Sequence, residues 1–124
     1  MIITSEKLRE SILIVLGDSD MLKILDSTML HPRSVNDIIK ETAIPHTTAY
    51  RKVKWLLDQG LLSVEKITIT EEGKKFSLVR STLRSFEVKY KLGNVIVEGE
   101  QNFNPAERTA EDFFSLGETT TSAS

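Results

Sequence analysis

Thr47, Tyr50, Arg51 and Lys54 recur at i, i+3, i+4 and i+7, inside a stretch from Ala43 to Leu57 that carries three basic side chains and no acidic one. A helix there with Ala49, Val53 and Leu56 turned inward points all four to solvent. Arg51 then offers paired donors that match guanine O6 and N7, Thr47 and Tyr50 offer hydroxyls to base edges or phosphates, and Lys54 adds charge. Thr47 also falls near the helix start, where free backbone amides favour a phosphate. This is the chemistry of reading a polyanion. The plain alternative is a solvated helix face that happens to bear Arg and Lys. Lys74 and Lys75 form a second basic pair beside a polar reversal, suited to positioning a phosphate backbone rather than reading bases. Glu71 and Glu72 oppose that role, and a merely structural hairpin is its alternative.

Other chemistries lack their residues. There is no cysteine, which removes thiolate nucleophiles, disulfides and thiolate metal sites. His31 and His46 lack the spacing of a chelating pair, and Gly73-Lys74 lacks the rest of a phosphate-binding loop. No nucleophile and base come together in the pattern, so neither an enzyme nor a cofactor is expected. His31, just before Pro32, suits a helix end, and Trp55 is expected to pack rather than to act.

A net charge of -2 looks wrong for a polyanion binder, yet the charges are segregated. Residues 1–42 hold five basic and seven acidic side chains; residues 74–91 hold six basic ones against Glu87 alone; residues 95–124 hold six acidic ones against Arg108 alone. Two positive islands sit in a negative chain, and local field decides where a polyanion docks. The longest apolar run, Ile12 to Leu16, is far short of the twenty or so residues that cross a bilayer, and Met1-Ile2-Ile3 leads into Thr4-Ser5-Glu6 rather than a secretory leader. A cytoplasmic protein without a membrane partner is expected.

The elements that must position these residues follow from period and punctuation. Ser5 to Leu16 reads as an amphipathic helix with Leu8, Ile12, Leu13, Val15 and Leu16 inward, closing at Gly17. A second helix, capped by Asp18 or Ser19, runs through Met29 and Leu30 to His31-Pro32. Ser34 opens a third, Val35 to Thr42, with Asp37 facing the first-turn amides and Val35, Ile38 and Ile39 inward. Ala43-Ile44-Pro45 breaks the chain, and a fourth helix from near His46 to about Gln59 stops at Gly60. From Leu61 the period shortens to two: Val64, Ile67 and Ile69 lead to the reversal at 71–74, and Phe76, Leu78 and Val79 return. Thr70 can instead cap a fifth helix reaching Leu83; the weak helix formers Ser77, Ser81, Thr82 and Ser85 favour strands. Phe86, Val88 and Tyr90 pair with Val95 and Val97 in a second hairpin turning at Leu92-Gly93-Asn94, where Gly and Asn accept positive φ. The fold unit is 1–101. Residues 102–124 form an acidic tail with a short helix over 105–115, expected to dock through Ala106, Ala110, Phe113 and Phe114, and nothing to bury after Gly117. The class is α+β: four helices, then two hairpins.

The segment Ser34 to Leu62 resembles the ArsR-like winged helix-turn-helix transcription regulators, over about residues 18 to 80. Thr47-Thr48 before Ala49, then Arg51, Val53, Lys54 and Gly60-Leu61-Leu62 carry the likeness, as recognition helix and passage into the first wing strand. The resemblance implies that His46, Thr47, Tyr50, Arg51 and Lys54 face the major groove of double-stranded DNA or its flanking phosphates. It implies that Lys74 and Lys75 lie on a wing touching minor groove or backbone. The sequence departs from the metal-sensing branch, and an effector stays open. A homodimer is expected, through the apolar face of the second hairpin with the first helix and Phe113-Phe114, setting recognition helices about 34 Å apart on a palindromic site. A winged-helix module that binds protein is the rival reading, favoured by the acidic balance. Arg80, Arg84, Lys89 and Lys91 are expected to solvate a sheet or extend the DNA surface.

Overall fold

The computed structural model describes residues 1–102; the expected helix over 105–115 lies outside the described residues. Four helices precede two antiparallel two-stranded hairpins. In α1 (Glu6–Leu16) the Ser5 side chain accepts from the Leu8 amide, and Ile12 and Val15 are fully buried. Leu13 and Leu16, expected inward, are exposed, as is Ile14. A helix turns about 100° per residue, so a run of successive apolar residues spreads around the axis and mainly positions three or four apart share the buried stripe. Asp18, not Ser19, caps α2 (Ser19–Ser27) by accepting from the Met21 amide. This helix ends at Ser27 instead of running to Leu30: the Thr28 hydroxyl turns back onto the Ile24 and Leu25 carbonyls, and Leu30 is left exposed.

The capping box at α3 (Val35–Thr42) is as the pattern predicts, the Ser34 hydroxyl accepting from the Asp37 amide and the Asp37 carboxylate from the Ser34 amide. Ala43 closes the helix in the left-handed region at φ 60°. Pro45 then begins α4 (His46–Asp58), and left-handed Gly60 follows it. Ile12, Ile24, Ile38 and Leu56, all fully buried, are contributed one by each helix. Leu61, Leu62, Val79, Leu83 and Val97 bring both hairpins onto the same core.

β1 (Leu62–Ile69) pairs with β2 (Lys75–Ser81), so residues 70–83 form a turn and strand rather than a fifth helix. The Thr70 amide donates to the Lys74 carbonyl, closing the turn. A rung that the sequence does not announce joins β2 to the loop before α3: Arg33 and Val79 exchange backbone hydrogen bonds of 2.9 and 2.8 Å. Arg80 corrects an expectation. It is buried rather than solvated, its guanidinium 3.4 Å from the Glu65 carboxylate and bonded to the Met29 carbonyl. Strand alternation presumes one wet face, but Val79, Arg80 and Ser81 are all buried, with the 28–33 loop on one side and Glu65 on the other.

β3 (Leu83–Lys91) pairs with β4 (Asn94–Gln101). Residues 1–3 add a short third strand to β4: the Ile3 amide donates to the Val97 carbonyl and the Gly99 amide to that of Met1. A Cβ on Gly99 would lie 3.1 Å from Ile3 Cδ1, tighter than an ordinary contact, so glycine gives this segment room to approach. The apolar face expected to meet a partner is largely used at home, Val97 being buried and Phe86, Val88 and Val95 packed against the core. The turn also differs from expectation: Leu92 (φ 50°) and Gly93 (φ 79°) take the positive φ values, and Asn94 begins β4. A two-residue primed turn needs both central residues left-handed, which leucine resists. Leu92 is 89% exposed and loses no packing when changed. Leu92→Asn is expected to raise stability by about 1 kcal/mol, read as a higher urea midpoint at unchanged slope; a lower midpoint would show the turn to be of another kind.

Among the described residues no helix is long and apolar enough to cross a membrane.

Candidate nucleic-acid interface

α4 rests on the core through Ala49, Val53 and Leu56 and leaves His46, Thr47, Tyr50, Arg51 and Lys54 exposed. At about 100° per residue these five cover an arc of roughly 140°. No acidic residue interrupts the arc until Asp58, in the last turn. His46 and Tyr50 stack at one edge, ring centroids 4.7 Å apart and tilted by 40°. Among the described residues neither Arg51 nor Lys54 enters an ion pair.

Lys52 shows the opposite arrangement and explains why that face is orderly. Its ammonium lies 2.6 Å from one Asp18 oxygen and 2.8 Å from the other, with Asp20 at 3.6 Å, tying α4 to the start of α2. Burial works against the Asp18 carboxylate, but the Lys52 ammonium and the Met21 amide outweigh it and hold its pKa below the usual aspartate value. The charge is kept, and so is the tie. At its far end α4 is fixed by α1: the Ser11 hydroxyl donates to Gln59 Oε1, and the Lys7 ammonium to the Asp58 carbonyl. The exposed arc is thus the side of a helix anchored at its middle and at its C-terminal end.

Beside it runs an open cleft of about 750 Å³ between α4, the start of α3 and the first hairpin. Tyr50, Val53 and Leu57 form one wall, Ser34 to Asp37 the floor, and Thr70, Lys74, Lys75 and Phe76 part of the other wall. The fold therefore brings Tyr50 together with Lys74 and Lys75, all three exposed. Thr47, Arg51 and Lys54 do not line the cleft and lie further round α4. Asn36, exposed at the second position of α3, shares the cleft, and nothing in the local pattern singles it out. Asp37 is the acid of the cleft and is engaged as a cap. Trp55 is half-buried against the core, and His31 is exposed. Among the described residues no group of three or more His, Asp or Glu side chains comes together as a metal site.

No model of a known protein family matches this sequence, and no curated protein matches it either.

Proposed function

We propose that this chain is a sequence-specific DNA-binding transcription regulator with a winged-helix fold, similar to the ArsR-like group, and not an enzyme. α4 enters the major groove, where Arg51 reads a guanine and Thr47 and Tyr50 contact base edges or phosphates. Lys54 supplies charge, His46 flanks the groove, and Lys74 and Lys75 hold backbone phosphates from the β1–β2 wing. The reading assigns the protein to the cytoplasm. One observation carries it: α4 exposes an unbroken arc of donors and cations, free of ion pairs among the described residues, while Lys52 is turned away into an ion pair with α2. The Arg33–Val79 rung supports it by fastening the wing beside that helix.

The test is the salt dependence of binding to duplex DNA, with the site first selected from random duplexes. Several phosphates are neutralised in this arrangement, so the log–log slope is expected to be steeper than about -3. A slope near zero overturns the reading. It would favour a module that docks on protein, for which the exposed row Val64, Ile67 and Ile69 on β1 speaks.

A further inference from the structure

The outer edge of β3 is unpaired among the described residues: β4 occupies one side, and residues 1–3 take the far edge of β4. From Ser85 to Lys91 the strand runs without a register break. Exposed regular edges invite another strand and are usually guarded. The free edge of β1 is guarded in this way by its bulge between Val64 and Lys66, whereas β3 has an irregularity only at its start, between Leu83 and Ser85.

The charges on this hairpin are only partly balanced within one copy: Arg84 pairs with Glu100 at 3.5 Å, but among the described residues the row at Glu87 is left without a cation. Glu87 stands directly opposite Glu98, and Ser85 opposite Glu100. Among the described residues Glu87, Lys89 and Lys91 enter no ion pair. Like charges facing across a pair of strands destabilise it.

We propose that a second copy of this chain pairs antiparallel along β3, about a two-fold axis at Val88. Such an axis stands normal to the sheet, so facing residues must point to the same side and only registers centred on a residue qualify. Centred on Glu87, glutamates face each other; centred on Lys89, lysines do; centred on Tyr90, Lys89 meets the partner's Lys91. Centred on Phe86, no opposite charges meet. The register about Val88 sets Glu87 against the partner's Lys89, Phe86 against the partner's Tyr90 and Ser85 against the partner's Lys91. The row of Glu87 and Glu98 then gains a cation in the partner's Lys89, while the partner's Lys91 comes beside Ser85, in the row of Glu100, which Arg84 already neutralises. Tyr90, 76% exposed in the single copy, gains a neighbour.

This interface stands apart from the nucleic-acid reading, and its test uses no DNA. Sedimentation equilibrium of the full chain is expected to show a monomer–dimer equilibrium. Glu87→Lys and Lys89→Glu each place like charges opposite one another twice, and each is expected to raise the dimer dissociation constant roughly tenfold or more. Mixing the two variants makes every facing pair opposite in sign again, so the mixture is expected to dimerise about as tightly as the parent. Both positions are exposed, and unchanged circular dichroism confirms that the variants fold. Three outcomes overturn the proposal: a monomer at every concentration, a dimer indifferent to both reversals, or weakening that mixing does not restore. A dimer that is instead lost on Ile14→Glu, through the exposed apolar side of α1, belongs to the second outcome.

Discussion

Arg80→Ala is expected to lower the free energy of unfolding by about 3–5 kcal/mol and the thermal midpoint by more than roughly 10 °C. The side chains of Arg80 and Glu65 are only 10% and 9% exposed, and their closest atoms lie 3.4 Å apart. Two charges so placed have given up most of their water, and each is tolerated because of the other. Among the described residues Glu65 Oε2 already has no hydrogen-bond partner, so once Arg80 is gone the carboxylate keeps none of them to offset its burial. The loss comes from the stranded charge more than from the missing bond. Glu65→Leu combined with Arg80→Met, which removes both charges and keeps much of the volume, is therefore expected to cost far less than Arg80→Ala alone. Urea unfolding followed by circular dichroism measures both. A double variant as unstable as the single one would mean that the pair itself, and not its asymmetry, matters.

Arg51→Ala is expected to weaken binding to the selected DNA site by about 1–3 kcal/mol and to flatten the preference at one base position. Arg51 is exposed, on a helix tied down at its neighbour Lys52 and at its C-terminal end, and among the described residues no carboxylate competes for it. Its donors are thus available to a base without first breaking an ion pair. Lys75→Ala is the control: taking one phosphate-holding cation from the wing weakens every sequence alike and makes the salt slope shallower by about one. Competition binding of wild type and variants to a set of single-base changes separates the two roles. If Arg51→Ala keeps the wild-type ranking of those sites, Arg51 is not a reader.

What could be read from the residues was whatever local chemistry decides. The α3 box of Ser34 and Asp37, the α4 span closing before Gly60, and the outward set of residues 46, 47, 50, 51 and 54 all follow from spacing and cap preference. Leu13, Leu16 and the end of α2 depart from expectation for local reasons; the other failures come from distant chain. Arg80 sits in an alternating strand and looks wet until the 28–33 loop is laid against it. Met1 to Ile3 is too short to show a period, and only a bare Gly99 far along the chain reveals its place. Leu92 turns left-handed because two facing strands end beside it, against its own preference. In the candidate site the same division holds: the α4 face is local and legible, whereas the meeting of Tyr50 with Lys74 and Lys75 depends on how the hairpin is hung.

The fastening of that hairpin bears on how the molecule can be dissected. Arg33 finds its backbone partners in Val79, the Thr28 carbonyl accepts from Ser81, and the Met29 carbonyl from Arg80 and Asn102. An excised piece that stops after α4 would leave all of these groups without their mates and bare one flank of the helical cluster. The four helices are accordingly not a miniature of the whole; they and the sheets behind them are expected to melt, or survive, as one cooperative body.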